Sequence, residues 1–173
     1  MTVTRIDAAV RTLDSRLVTL DHVIGAGVEH LREPESVYLE RRLAPDMLPL
    51  GTQVAFTCNQ PRNFVLWLDG LPADDLDPKV ESLSQARGYI SKTRELLSKR
   101  EGSHGALPLE KHLQLGPGLH ADLTGEEYFA EFLLPNFYFH LVTSYAILRM
   151  AGVPLGKRDY MLHLLPKVVQ SAI

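Results

Sequence analysis

Apolar residues recur every three or four positions over residues 4 to 31, which predicts a long amphipathic helix. This stripe consists of Ile6, Val10, Leu13, Leu17, Leu20, Ile24 and Leu31. A second helix is predicted to begin near residues 46 to 49 and to stop at Gly70, and its apolar stripe, which starts at Leu50, contains Pro61. We therefore expect Pro61 to bend or divide this helix. The segment 31 to 50 holds three prolines and predicts a loop with a short helix around residues 36 to 43.

A third helix is predicted from Asp77 onward. Asp77 is a good N-cap residue, and Pro78 after it suits the first helical position. The apolar stripe that follows is Val80, Leu83, Ala86, Ile90 and Leu97. Gly102 is the expected C-terminal cap of this helix.

Alternation replaces helical spacing after residue 105. Leucines at 107, 109, 113 and 115 stand at every second position, and apolar residues alternate again from 119 to 123. The sequence Gly116-Pro117-Gly118 separates the two runs, so this region predicts a short β-hairpin. Thr124 and Glu127 then form a capping box that begins a last helix. We expect that helix to continue to about Ala151, with a kink at Pro135.

These elements together predict an all-α fold, a four-helix bundle with a small β-hairpin inserted before the last long helix. Its 173 residues suit a single domain over residues 1–173. The formal net charge of −3 gives no electrostatic basis for binding nucleic acid or an anionic membrane. Charges near the start argue against a signal peptide, and no apolar run is long enough to span a bilayer.

Cys58 is the one cysteine in the sequence, which excludes an internal disulfide and makes the cytoplasm the expected location. We expect Cys58 to be a small buried side chain rather than a reactive thiol. The segment GVPLGKRD, Gly152 to Asp159, fails as a phosphate-binding loop because it is one residue short and has Arg158 where Ser or Thr is needed. We interpret Gly152 as a helix cap, with the following tail packed back on the bundle.

None of the seven histidines forms an i, i+4 pair with another, the spacing that places two imidazoles on one helical face. His112 and His120 flank the predicted hairpin turn and could face each other across it. Two interpretations stay open for them, a zinc site and ordinary surface histidines.

A polar strip interrupts the apolar last helix. Asn136 and His140 stand at i, i+4, and Gln53 and Thr57 form a similar pair on the second helix. An unpaired buried polar group costs about 1 to 3 kcal/mol, so we expect the two strips to meet across the bundle. They then form a hydrogen-bonded core cluster, a ligand pocket or a metal site, and the spacing leaves all three open.

Three segments of the chain resemble an uncharacterised family related to the DinB/YfiT-like four-helix bundles. They are RLAPDMLPLGTQVAF (Arg42 to Phe56), the TGEEY entry to the last helix, and FLLPNFYFHLVTSYAILRMAGVPLGKRDY (Phe132 to Tyr160). The resemblance covers nearly the whole chain. It implies a superfamily whose members often bind a divalent metal through three histidines, and which includes thiol-dependent transferases.

The resemblance also implies positions for the metal ligands. It places Thr57 where the second helix would carry a ligand histidine. His140 falls on a ligand-like position of the last helix, with Asn136 one turn before it. Since Thr and Asn are poor ligands for zinc or nickel, this departure argues against the superfamily's usual metal site.

Our functional hypothesis is a cytoplasmic homodimer that binds a small molecule in a polar pocket between helices, with no cofactor predicted. The candidate pocket residues are Gln53, Thr57, Asn136 and His140. The alternative is a DinB-like metal-dependent enzyme or transferase that uses His140 as an acid/base or as a metal ligand. In that case Gln53, Asn136, Tyr138 or Asp46 would assist it. A scaffold without a ligand is the third interpretation.

Overall fold

The computed structural model describes residues 5–169, so the first and last four residues of the predicted domain lie outside the described part. Its elements are α1 (Arg5–Leu31), α2 (Glu35–Leu39), α3 (Leu50–Leu68), α4 (Leu83–Ser98), β1 (Glu110–Gly116), β2 (Leu119–Thr124), α5 (Gly125–Glu127), α6 (Leu134–Met150) and α7 (Lys157–Tyr160). A π-helical segment, Tyr128–Leu133, joins α5 to α6, and a 3₁₀ helix, Leu162–Lys167, follows α7. The fold is mostly helical with a two-stranded antiparallel sheet, which confirms a helical bundle carrying a hairpin.

The four longest described helices bury the apolar stripes that the spacing predicts. α3 packs against both α4 and α6, and α1 closes the other side of the core. Every member of the predicted α1 stripe is buried except Leu31, which is partly buried. Cys58 on α3 is fully buried as expected. Burial raises the pKa of its thiol to about 12, so it is not a reactive thiolate.

The predicted start of the third helix at Asp77 is wrong, because α4 begins at Leu83. Ser82 is the actual N-cap, and its hydroxyl accepts a hydrogen bond from the backbone of Gln85. The Asp77 carboxylate instead accepts from the backbone N–H of Lys79, in a local turn. The carbonyl of Pro78 accepts from the Thr52 hydroxyl on α3. The local turn and the bond from α3 therefore occupy groups that a helix starting at Asp77 would use.

Prolines act differently in the two helices that contain them. α3 runs without interruption from Leu50 to Leu68, so Pro61 does not divide it. In the last helical region the capping box of Thr124 and Glu127 is confirmed. The chain then takes the π-helical segment directly before Pro135, where a missing N–H leaves an α-helical acceptor without its donor. The predicted single kinked helix is thus three connected segments.

The hairpin is attached to the end of α3 and to the start of α5. Trp67 on α3 donates from its indole N–H to the carbonyl of Glu110, 3.3 Å away. The backbone N–H of Gly125 donates to the carbonyl of Leu109. A Cβ at Gly125 would lie 1.9 Å from the carbonyl oxygen of Pro108, so only glycine fits there. The hairpin therefore has a defined position against the bundle.

The segment after α6 packs back on α1. Gly152 adopts a positive φ of 90°, and Val153 and Leu155 beyond it are buried. Asp159 accepts a hydrogen bond from His22 on α1 at 2.8 Å, while Lys157 and Arg158 are exposed. Within residues 5–169, no helix combines the length and apolar character needed to cross a membrane.

Candidate functional site

The structure brings Gln53 of α3 and His140 of α6 together where the two helices pack. His140 Nδ1 lies 2.8 Å from Gln53 Oε1. The Gln53 amide nitrogen donates to the carbonyl of Leu48, which leaves its Oε1 as the acceptor in the pair. His140 therefore carries its proton on Nδ1, and Nε2 presents a lone pair.

His140 is neutral at physiological pH. It is 9% exposed, and burial lowers its pKa to about 4. The rings of Phe56 and Phe139 meet it edge-on, each with its centroid 5.2 Å away. His140 Nε2 has no hydrogen-bond partner in the described part of the chain. It is not among the fully buried unpaired atoms there, of which His163 Nδ1 is the sole case, so Nε2 retains contact with solvent.

Thr57 and Asn136 do not join this pair. The Thr57 hydroxyl donates to the carbonyl of Gln53, one turn earlier on the same helix. The Asn136 amide donates likewise to the carbonyl of Phe132. Asp46 is exposed, and the ring of Tyr138 contacts Phe137. Of the four predicted pocket residues, only Gln53 and His140 bond to each other through their side chains.

The donor set around His140 does not fit the three-histidine metal site of the DinB/YfiT-like bundles. His140 supplies one imidazole, while Thr57 and Asn136 offer weakly basic neutral groups that are already bonded along their own helices. Among residues 5–169, one group of three His, Cys, Asp or Glu side chains is close enough to hold an ion, and it lies on the hairpin. Thr57, Asn136 and His140 therefore supply one imidazole and not three.

A groove opens beside this pair, between α3, the loop after it, the hairpin and the π-helical segment. Its volume is about 560 Å³. We call it the hairpin groove, and it is lined by Phe56, Asn59, Gln60, Asn63, Pro72, Ala73, Asp75, Lys111, His112, Leu113, Gln114, Tyr128 and Phe132. None of the four predicted pocket residues lines it. Phe56 connects the two places, because its ring both lines the groove and contacts His140.

Lys111 is the one lysine that lines this groove. Its ammonium lies 5.1 Å from the centre of the Tyr128 ring, and partial burial lowers its pKa. Lys79 and Lys99 each pair with a glutamate, whereas Lys111 pairs with no carboxylate in the described part of the chain. Burial raises the pKa of Tyr128 to about 12, so its hydroxyl remains a hydrogen-bond donor.

Sequence reasoning missed Lys111, although a signal for it was present. Leucines occupy 107, 109, 113 and 115, so position 111 belongs to the same alternating series, and it holds lysine. A cation within an apolar series is a polar group directed toward the body of the protein. In the structure Lys111 and Leu113 are partly buried, whereas Leu109 and Leu115 of the same series are exposed, so the pattern holds only in the middle of β1.

Comparison with known proteins gives a family and a structural relative. The sequence profile of DUF1993, a domain of unknown function, matches residues 6–161. No curated protein matches the chain. A crystal structure of a DinB family member protein from Shewanella denitrificans, at 1.83 Å resolution, is similar to it with 28% sequence identity. The similarity covers 90% of each chain, with a TM-score of 0.75.

Proposed function

This chain belongs to the DUF1993 family and is related to the DinB-like proteins, and we propose that it binds a small anionic organic molecule in the hairpin groove. The observation that carries the proposal is Lys111, a partly buried cation at the groove with no carboxylate partner among the described residues. Burying an unpaired charge is unfavourable, and a ligand carboxylate or sulfonate would remove that cost by pairing with the ammonium.

The other groove residues suit a ligand with a flat, unsaturated body. Phe56, Tyr128 and Phe132 supply three aromatic rings, and Asn59 and Gln60 supply amides for orientation. Small-molecule sites combine apolar and aromatic walls with a few polar groups in this way, in volumes of roughly 300 to 1,000 Å³. Asp75 on the same groove is held by the amide of Asn63 at 2.7 Å, and it would disfavour a second anionic group on that side.

The polar pair between α3 and α6 has a supporting role in this proposal. His140 contacts Phe56, so the hydrogen bond from His140 to Gln53 fixes the ring that forms one wall of the groove. Thr57 and Asn136 belong to the same two helices and are satisfied within them. We therefore propose the hairpin groove as the small-molecule site in place of these four residues.

Two fluorescent probes that differ in charge test the proposal. Anilinonaphthalene sulfonate is aromatic and anionic, and N-phenylnaphthylamine lacks the sulfonate. We expect Lys111→Met to weaken binding of the anionic probe about tenfold, the effect of losing one charge-assisted contact. The neutral probe should bind Lys111→Met as well as the wild type.

Two further variants complete the experiment. Lys92→Met removes an exposed lysine on α4 and should leave both probes unaffected. Gln60→Trp places a large ring in the groove and should weaken both probes. Equal affinity of the anionic probe for Lys111→Met and wild type would overturn the anionic assignment. Unchanged binding of both probes to Gln60→Trp would overturn the groove itself.

A DinB-like metal-dependent enzyme or transferase using His140 remains the second candidate. The observation in its favour is the His140 tautomer, because the bond from Nδ1 to Gln53 leaves a lone pair on Nε2. Metal analysis of protein purified without an affinity tag tests this. In a His120→Ala background, where the hairpin group lacks one of its histidines, stoichiometric metal that His140→Ala removes would support the enzyme, and its retention would contradict it.

We also propose that the chain is a cytoplasmic homodimer built on a four-helix bundle. Phe139, Val142 and Met150 on the outer face of α6 are 55%, 43% and 57% exposed. An exposed apolar patch of this kind suits an isologous contact with a second copy. Light scattering should find dimers for the wild type and monomers for Val142→Glu. The control is Ser84→Glu at an exposed position of α4, which should remain a dimer. A dimeric Val142→Glu would exclude this face.

A further inference from the structure

We propose that the outward face of the β-hairpin binds a divalent transition-metal ion through His112, His120 and Asp122. This site lies apart from the helical positions of the superfamily's metal ligands, and His112 is the one member of it that also lines the hairpin groove. The proposal stands on strand register, on the distances between ligand atoms, and on the chemistry of the three side chains.

Strand register places the three side chains on one face. His112 on β1 is directly opposite Asp122 on β2, and His120 is opposite Gln114, two residues further along. Side chains two apart on a strand share a face, and directly paired residues share it across the ladder. All three are exposed, whereas Lys111 and Leu113 on the other face are partly buried. The face that carries the site is therefore open to solvent.

The ligand atoms are already close together. His112 Nδ1 lies 2.7 Å from Asp122 Oδ1, and His120 Nε2 lies 3.8 Å from Asp122 Oδ2. The two imidazole rings are 4.7 Å apart, and one ligand atom from each of the three residues lies within 4.8 Å of the others. Metal bonds of ~2.0 to 2.2 Å require ligand atoms roughly 3 to 3.5 Å apart. Small side-chain rotations at exposed positions provide that change.

The donor set selects the kind of ion. Two imidazoles and one carboxylate suit Zn²⁺, Co²⁺, Ni²⁺ or Fe²⁺, whereas Mg²⁺ and Ca²⁺ prefer oxygen ligands. Three protein ligands leave further coordination positions for water or for a ligand, as in open metal sites. The hairpin is held to the bundle through Trp67 and Gly125 whether or not an ion binds. The three donors are thus preorganised by a supported scaffold.

Metal titration of protein purified without a polyhistidine tag and treated with a chelator tests this site. Co²⁺ would be followed by its visible absorption, and Zn²⁺ by competition with a chromophoric chelator. We expect one ion per chain in the wild type. His112→Ala, His120→Ala and Asp122→Asn should each weaken binding at least about tenfold, as loss of a direct ligand requires.

Matched controls lie on the same face and elsewhere in the chain. Gln114→Ala removes a neighbour of the site on the same strand, and His30→Ala removes an exposed histidine on α1. Both should bind the ion as tightly as the wild type. Because the three ligands are exposed, their variants should keep the wild-type melting temperature without metal. Binding that is absent in the wild type, or equally tight in all three ligand variants, would overturn the proposal.

Discussion

Polar groups pack against α3 in two regions of the molecule. In one region they are hydrogen-bonded to each other, and in the other a cation has no carboxylate partner among the described residues. At the contact of α3 with α6, Gln53 and His140 are buried and bonded to each other, and Thr57 is satisfied within its own helix. At the contact of α3 with the hairpin, Lys111 is partly buried without a carboxylate partner in the described residues and lines a groove of about 560 Å³.

The difference concerns what a buried polar residue indicates. A polar group that is already paired stabilises its surroundings, and it has little left to offer a ligand. A charged group without a partner, beside an open volume, is where a ligand would lower the free energy most. The proposed binding site accordingly rests on a partly buried cation without a carboxylate partner among the described residues, and not on the polar residues within α3 and α6.

The largest expected effect is a loss of stability where the hairpin packs against the bundle. Gly125→Ala would bring a Cβ to 1.9 Å from the Pro108 carbonyl, so the base of the hairpin must move. We expect a loss of more than about 3 kcal/mol in the free energy of unfolding, measured by urea denaturation. The control is Gly88→Ala on α4, which has nothing within 4 Å of the added Cβ.

Gly88→Ala should raise the free energy of unfolding by about 0.5 to 1 kcal/mol, because alanine favours the helix. The same substitution is thus expected to have opposite signs at the two positions. If Gly125→Ala is as stable as wild type, the close packing of the hairpin against α5 is not present in solution.

The next effect concerns the paired region. His140→Ala removes a buried ring and leaves Gln53 Oε1 without its donor, which should cost about 2 to 3 kcal/mol of unfolding free energy. Denaturation compared with His30→Ala, an exposed histidine, gives the measurement. A cost below about 0.5 kcal/mol would show that the His140 to Gln53 bond contributes nothing to stability.

A smaller effect appears in the pH dependence of stability. The pKa of His140 is lowered from 6.5 to about 4, so below pH 6.5 the unfolded chain binds a proton that the folded chain does not. The stabilising contribution is complete above the unfolded pKa, and it is lost as the pH falls from 6.5 toward 4. Between about pH 7 and about pH 4.5, the unfolding free energy should lose on the order of 2 kcal/mol through this group.

His140→Gln isolates this contribution from the carboxylates. Glutamine can still donate to Gln53, and it does not titrate. The stability difference between wild type and His140→Gln should therefore shrink or reverse as the pH falls through this window. A difference that stays constant with pH would mean that His140 keeps an ordinary pKa in the folded protein.

The pattern of apolar and polar residues predicted most of the fold and part of the candidate site. The helical stripes of α1 and α3, the hairpin and the capping box at Thr124 are visible because each depends on residues close together in the chain. The start of α4 was misplaced because Thr52, 26 residues earlier, binds the Pro78 carbonyl. The π-helical segment before Pro135 was missed because a proline predicts a disruption and not its form.

The same distinction between local spacing and tertiary packing applies to the candidate site. The sequence by itself determined which polar residues lie on apolar helix faces and that Cys58 is buried. Only the tertiary structure decided that Gln53 meets His140, that Asn136 bonds to the π-helical segment before α6, and that Lys111 lies over the Tyr128 ring. Spacing along one element specifies which face a side chain is on. The partner on that face is set by how separate elements pack, and that depends on contacts between residues far apart in the chain.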